Sequence, residues 1–381
     1  MSTADKLNKI IDTKSRIKTQ IESKGITTTD KFADYPDMIK ESQRVDIKMC
    51  IQSDYPSHYD VPDFITSICS HAFAYRQTIT SITIPNTVTY MGAAVFQASY
   101  LTNCVIPNSV TTMGTYMFYG STKLTACTLP TNETLTAIPA HTFRNCDALK
   151  TLDNIVIPSN FTVIGDYAFE NCGALTTANI PSSITTINQY AFSACGALTT
   201  VNMTNVTTIG TRAFYNNAKL ANVTLNEGLT TLGERAFETT AALKHITLPS
   251  TIKTLNHYCF SSSGLQNLVI PEGCTYLGDY IFNACKSLVW VDIPSTVTNI
   301  RQYTFYNCTA LQYVIVRATT PPSLNKSAWR GVKTNGKIYV PQGCKAAYEA
   351  TVWNNSTATY YPKNRGWTIA ELDENGNIPT T

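Results

Sequence analysis

The sequence predicts a mainly β fold, a solenoid of about 11–12 coils with parallel strands, preceded by a short α-helical segment and closed by a C-terminal cap. Three observations carry this. A phenylalanine returns at Phe73, Phe96, Phe118, Phe143, Phe169, Phe192, Phe214, Phe237, Phe260, Phe282 and Phe305, at intervals of 22 to 26 residues. Between these, two stretches alternate apolar and polar residues in strand fashion, L-x-x-V-x-I and V-T-x-I, as in IGDYAFENCGALTTANIPSSITTI at 164–187. A proline then closes the first stretch at Pro85, Pro107, Pro130, Pro158, Pro181, Pro249, Pro271 and Pro294, where a ladder donor is no longer needed. One coil this short cannot bury its own apolar side, so neighbouring coils must.

Residues 1–46 precede the repeat. Leu7, Ile10, Ile17 and Ile21 form an apolar stripe at helical spacing, and Gly25 follows as a stop. The stripe fits a heptad with Lys14 at one seam position, which leaves a homo-oligomer open. Phe32, Tyr35, Pro36 and Ile39 come next. The combined pattern resembles the short N-terminal module of many tailed-phage virion proteins. That resemblance covers about forty residues and implies a docking segment, with Leu7, Ile10, Ile17, Ile21, Phe32, Tyr35 and Ile39 as anchoring residues. The other reading of the same helix is a cover for the first coil.

Residues 47–317 form the expected solenoid. The frame I-x-x-x-A-F-x-x-C-x-x-L-x-x-I-x-I-P resembles the BspA-like leucine-rich repeat family over roughly Val61 to Val316. The resemblance implies a leucine-rich-repeat solenoid used for binding and adhesion; fold alone does not name a ligand. Glycines at Gly92, Gly114, Gly165, Gly210, Gly233 and Gly278 are expected in a turn conformation that other residues resist. Cys146, Cys172, Cys195, Cys285 and Cys308 recur three residues after the phenylalanine and are expected to be a column of buried free thiols. The slot two residues before the phenylalanine holds His71, Tyr116, His141, Tyr167, Tyr190, Tyr258, Tyr280 and Tyr303. Rung packing accounts for this aromatic column better than a sugar-stacking strip, because repetition alone makes columns.

In L-x-x-V-x-I the residues between the apolar ones point outward. On the early rungs these are largely Thr and Asn, and the last four rungs change character. His245, Asn267, Trp290, Asp292 and Tyr313 are expected to form a contiguous patch on a concave strand face, suited to a glycan or a protein. A C-terminal segment folding over these rungs is the competing expectation. That segment, residues 318–381, resembles the same family's usual ending at Pro321-Pro322-Ser323-Leu324, Ala328-Trp329-Arg330-Gly331 and Ile338-Tyr339-Val340-Pro341. Trp329 sits where a twelfth phenylalanine would fall.

The chain has 381 residues, 43% hydrophobic and 14% charged, with a formal net charge of +3. No basic block occurs, which argues against nucleic acid as a partner. No apolar run reaches the length of a membrane span. The first residues lack a signal peptide's apolar stretch, so synthesis in a host bacterial cytoplasm without export by the usual secretory route is expected, with the virion as final location and the bacterial cell surface as the alternative. No C-x-x-C pair, H-E-x-x-H, G-x-S-x-G or phosphate loop is present, so neither a metal site, a cofactor nor a catalytic group is expected. The resulting functional expectation is a non-enzymatic interaction protein of a phage virion, meeting a host surface protein or glycan through its repeats and other virion proteins through its N-terminal segment. A bacterial cell-surface adhesin and a glycan-acting enzyme are the alternatives.

Overall fold

In the computed structural model the described residues are 57–354 and 361–379. They form a parallel β solenoid built from three kinds of inter-coil ladder. The V-T-x-I stretches give two-residue strands, and seven of these, from Ala137–Ile138 to Tyr276–Leu277, join in one parallel sheet. The register is one residue to its equivalent, as in Thr186 with Thr208 and Ile187 with Ile209. The isoleucines point inward and are buried. The preceding threonine is not spare surface, because its hydroxyl donates to the carbonyl of the equivalent threonine one coil back. Thr111 donates to Thr89, Thr162 to Thr136, Thr185 to Thr162 and Thr207 to Thr185.

The L-x-x-V-x-I stretches form the second ladder, which is interrupted. Thr177–Asn179, Thr200–Asn202 and Asn222–Thr224 make one parallel sheet. Asn267–Val269, Trp290–Ile293, Tyr313–Val316, Lys337–Val340 and Thr368–Glu371 make another. The rung between them, His245–Thr247, keeps the sequence frame but is not a strand. Alternation is clear on the earlier strands of this face, Asn103–Val105 and Ile155–Val156: Val105 and Val156 are 63% and 54% exposed, while Cys104 and Ile155 beside them are buried.

The phenylalanine corner is the third ladder and the most continuous. In the coil of Phe143, the N–H groups of His141, Phe143 and Asn145 donate forward to the carbonyls of Asp166, Ala168 and Glu170 at 2.9, 2.8 and 2.9 Å. The alternate amides close tight turns within the coil, Arg144 to His141 and Cys146 to Phe143. The same forward bonds recur from His71 to Arg330. The geometry needs left-handed backbone two residues before and two after each phenylalanine. His141 and Asn145 have φ of 60° and 61°, Tyr167 and Asn171 57° and 56°. The glycine expectation is therefore corrected. Gly92, Gly165 and Gly233 are absent from the positive-φ residues. They are small because coils touch there: a Cβ on Gly233 would lie 2.4 Å from the Gly210 carbonyl carbon. The slot takes Asn188 and Asn256 in two coils, so the close approach belongs to the glycine coils and not to the whole frame.

Inside the corner the phenylalanine rings stack from Phe73 to Phe305 with centroids 5.1–6.3 Å apart, and those from Phe96 onward have no exposed surface. The stack runs onto Trp329, whose ring meets Phe305 edge-on at 4.8 Å. Trp353 and Trp367 flank Trp329 at 5.6 and 5.9 Å, and their indole N–H groups donate to Pro322 and Lys333 carbonyls. Among the described residues the cysteines are all unbridged. No helix among them is long and apolar enough to cross a membrane.

Candidate functional site

Three surface features have the residue types for recognition. The first is the outward row of the C-terminal strands. Register places Asn267 beside Trp290, Trp290 beside Tyr313, and Tyr313 beside Lys337. The Trp290 and Tyr313 rings lie parallel, 5.9 Å apart and within 5° of coplanar orientation. Both are half-buried, and Tyr339 closes one side of Tyr313 edge-on at 5.8 Å. Burial pushes the Tyr313 phenol up from its ordinary value, with Tyr339 adding to it.

The expected patch is therefore assembled only in part. Asn267, Trp290 and Tyr313 share one row. His245 is exposed but sits on the rung that makes no strand. Asp292 is corrected: it is 8% exposed and points its carboxylate at Arg317. Arg317 Nη2 lies 2.7 Å from Asp292 Oδ2 and Nε 3.0 Å from Oδ1, while Nη1 donates to the Gly376 carbonyl at 2.7 Å. Hydrogen bonding to Asp292 raises the Arg317 pKa above its ordinary value. Ile315, outward by alternation, is 7% exposed because Tyr339 and Leu372 pack on it, with Tyr313 and Ile378 at the edge. The tail thus covers the Asp292–Ile315 column and leaves the Trp290–Tyr313 column partly open. Sequence reasoning missed Arg317, although an arginine just after a strand and one coil beyond an aspartate was the available signal. The anchoring residues Leu7, Ile10, Ile17, Ile21, Phe32, Tyr35 and Ile39 lie outside the described residues.

The second feature is polar and lies at the first strands. His58 Nδ1 is 2.8 Å from Ser81 Oγ, and Nε2 is 2.9 Å from Asp60 Oδ1. Serine, histidine and aspartate in this order invite a nucleophilic reading. Yet the imidazole and carboxylate side chains are 50% and 49% exposed, so water screens the pair. A working triad holds its carboxylate buried and aims amide donors at an enclosed reacting atom. The nearby cavity is lined by Tyr59, Val61, Ile65 and Phe73, on the inward side of the same strand. The trio ties two coils together and is not an active centre.

The third feature is the left-handed column before each phenylalanine. Tyr116, His141, Tyr167 and Tyr190 stack at 4.2, 4.7 and 4.6 Å. Tyr258, Tyr280 and Tyr303 continue at 4.6 Å each. Between them stand Arg212 and Arg235, with guanidinium carbons 5.3 Å from the Tyr190 ring and 4.1 Å from the Tyr258 ring. Burial lowers the His141 pKa first, and Arg144 adds to it.

The chain is similar to solved bacterial structures. The pneumococcal vaccine antigen PcpA matches at 16% identity over 84% of this chain and 81% of its own, with a TM-score of 0.52. A leucine-rich repeat protein from Bacteroides ovatus matches at 20% identity over 83% of this chain and 84% of its own, with a TM-score of 0.46. At these identities the likeness concerns fold alone. No curated protein matches the chain. A family model described as BspA type leucine rich repeat region matches residues 50–153, 148–266 and 253–361, and the chain therefore belongs to the BspA-type leucine-rich repeat family.

Proposed function

We propose that the protein is a non-enzymatic structural and interaction component of a phage virion, as a fibre, decoration or tail-associated protein. Residues 1–46 dock it to other virion proteins, and the repeats meet a host surface protein or glycan. The observation that carries the binding half is the parallel Trp290–Tyr313 pair beside Asn267, held at fixed spacing by the strand register. Large rings on a rigid ladder lose little entropy on binding, and tryptophan and tyrosine dominate binding energy at interfaces. The docking half rests on the helical stripe and the Phe32, Tyr35, Ile39 spacing.

The test has two arms. A chain beginning at Ile47 is expected to fold, since coil stability comes from neighbours, and to be missing from purified particles that contain the full chain. Incorporation of both equally well would remove the docking role. Trp290→Ala is expected to keep the melting temperature within a few degrees and to weaken attachment to host cells by about 2 kcal/mol. Unchanged attachment would take the patch out of consideration. A bacterial cell-surface adhesin is the second reading; it draws on the fold shared with a pneumococcal vaccine antigen. Detection of the protein on intact bacteria, with none in phage particles, would favour it.

A further inference from the structure

We propose that the tyrosine–arginine column on the phenylalanine corners is a second docking surface, and that its partner is an acidic segment of another protein seated over Arg212. The charge pattern points there. Arg144 pairs with Glu170 at 2.6 Å, Arg235 with Glu238 at 3.0 Å, and Arg317 with Asp292 at 2.7 Å. Arg212 has no carboxylate partner among the described residues. Its guanidinium lies 5.3 Å from the Tyr190 ring and 5.7 Å from the Tyr215 ring, with Nη1 on the Tyr190 hydroxyl. Its Nε is buried without a hydrogen-bond partner. A half-buried guanidinium held between two rings, with no carboxylate of its own, can take a charge-assisted pair on the edge it leaves open.

The class of partner follows from what the rings have left to offer. A sugar or a nucleobase needs an open ring face. In this column the faces are taken by neighbouring rings, as at 4.6 Å between Tyr167 and Tyr190. The edges and hydroxyls remain, beside arginine, which is the composition of protein interface anchors. The corner ladder beneath Arg212 is complete, with Arg212, Phe214 and Asn216 donating to the Glu234, Ala236 and Glu238 carbonyls, so the surface is preorganised. This face is independent of the Trp290 row.

The test uses the full chain and a fluorescently labelled peptide of alternating Glu and Ser, with its Gln/Ser counterpart as control. The parent should bind the acidic peptide in a salt-sensitive way and ignore the control. Arg212→Gln should weaken binding at least about tenfold, the effect of one lost charge-assisted pair. Thr211→Glu should do the same while keeping the guanidinium, because it copies onto Arg212 the adjacent pair that Glu234 makes with Arg235 at 3.3 Å. It also serves if Arg212→Gln fails to fold. No binding by the parent, or binding by both variants as tight as the parent's, overturns the proposal. Equal Arg212-dependent binding of polygalacturonate also overturns it and reassigns the surface to acidic glycans.

Discussion

Each cysteine of the repeat slot does one job, donation. Cys146, Cys172, Cys195, Cys285 and Cys308 place Sγ 3.0–3.3 Å from the carbonyl of the phenylalanine one coil back. Ser121 and Asn217 fill the same slot and reach the same carbonyl at 2.7 and 2.8 Å. The residue types differ in size and share only a hydrogen to give. Burial pushes the Cys195 thiol up to about 12, so it stays protonated and able to donate at neutral pH. Cys195→Ser should therefore change stability little, whereas Cys195→Ala, which leaves the Phe169 carbonyl without that donor, should cost about 1–3 kcal/mol in denaturant unfolding. Equal losses would mean that size alone matters in the slot. Asp292 shows the opposite limit of residue-level reading. Its outward direction follows from alternation, but its partner Arg317 arrives from the next coil and is fixed by Gly376 far along the chain.

At the scale of elements, the rung His245–Thr247 is the weak point of the long-strand face. Its residues lack strand pairing, and the amides of His245 to Leu248 make no backbone hydrogen bond, while Thr200–Asn202 is paired on both sides. Hydrogen exchange should accordingly be faster at 245–248 than at 200–202; equal protection would show the rung to be closed in solution. The sequence LKHITLP gives no sign of this, because it keeps the frame. The left-handed column was equally hidden, since tyrosine, which fills most of its slots, is not a residue that announces positive φ. Its stacking has a pH consequence. His141 lies between Tyr116 and Tyr167, and its pKa is lowered below the ordinary 6.5. The folded state thus binds fewer protons than the unfolded one between the lowered value and 6.5, so stability falls as pH drops through that window. His141→Tyr, which matches the rest of the column, should shrink the melting-temperature difference between mildly acidic and neutral buffer. An unchanged difference would place the acid sensitivity elsewhere.

For the molecule as a whole, the legible part was what repeats. The phenylalanine column, the inward isoleucines and the parallel strands follow from a period of 22 to 26 residues and from two-residue alternation, both local properties. What the sequence hid depends on where two coils meet: the close glycine contacts, the Asp292–Arg317 pair and the tail over Ile315. One consequence of coil-by-coil stability is testable. Removing Ser193 to Phe214 deletes one 22-residue unit and joins equivalent positions, so the product should unfold cooperatively at a moderately lower temperature. Removing only Ser193 to Met203 breaks the frame and should give insoluble protein. Equal solubility of both would contradict the register.

The corner ladder also has a sense of direction. In every one of its bonds the earlier coil gives the N–H and the later coil gives the carbonyl. The leading coil, at His71, therefore turns the carbonyls of Ser70, Ala72 and Ala74 outward, and none of them accepts a backbone bond from the described residues. Two copies meeting face to face at that end would oppose acceptor to acceptor. These backbone groups alone cannot form a twofold ladder. A row of amide donors would extend the ladder there, whether from the chain's own preceding residues, a different protein or a nose-to-tail neighbour, and nose-to-tail contacts build rings or filaments instead of closed pairs.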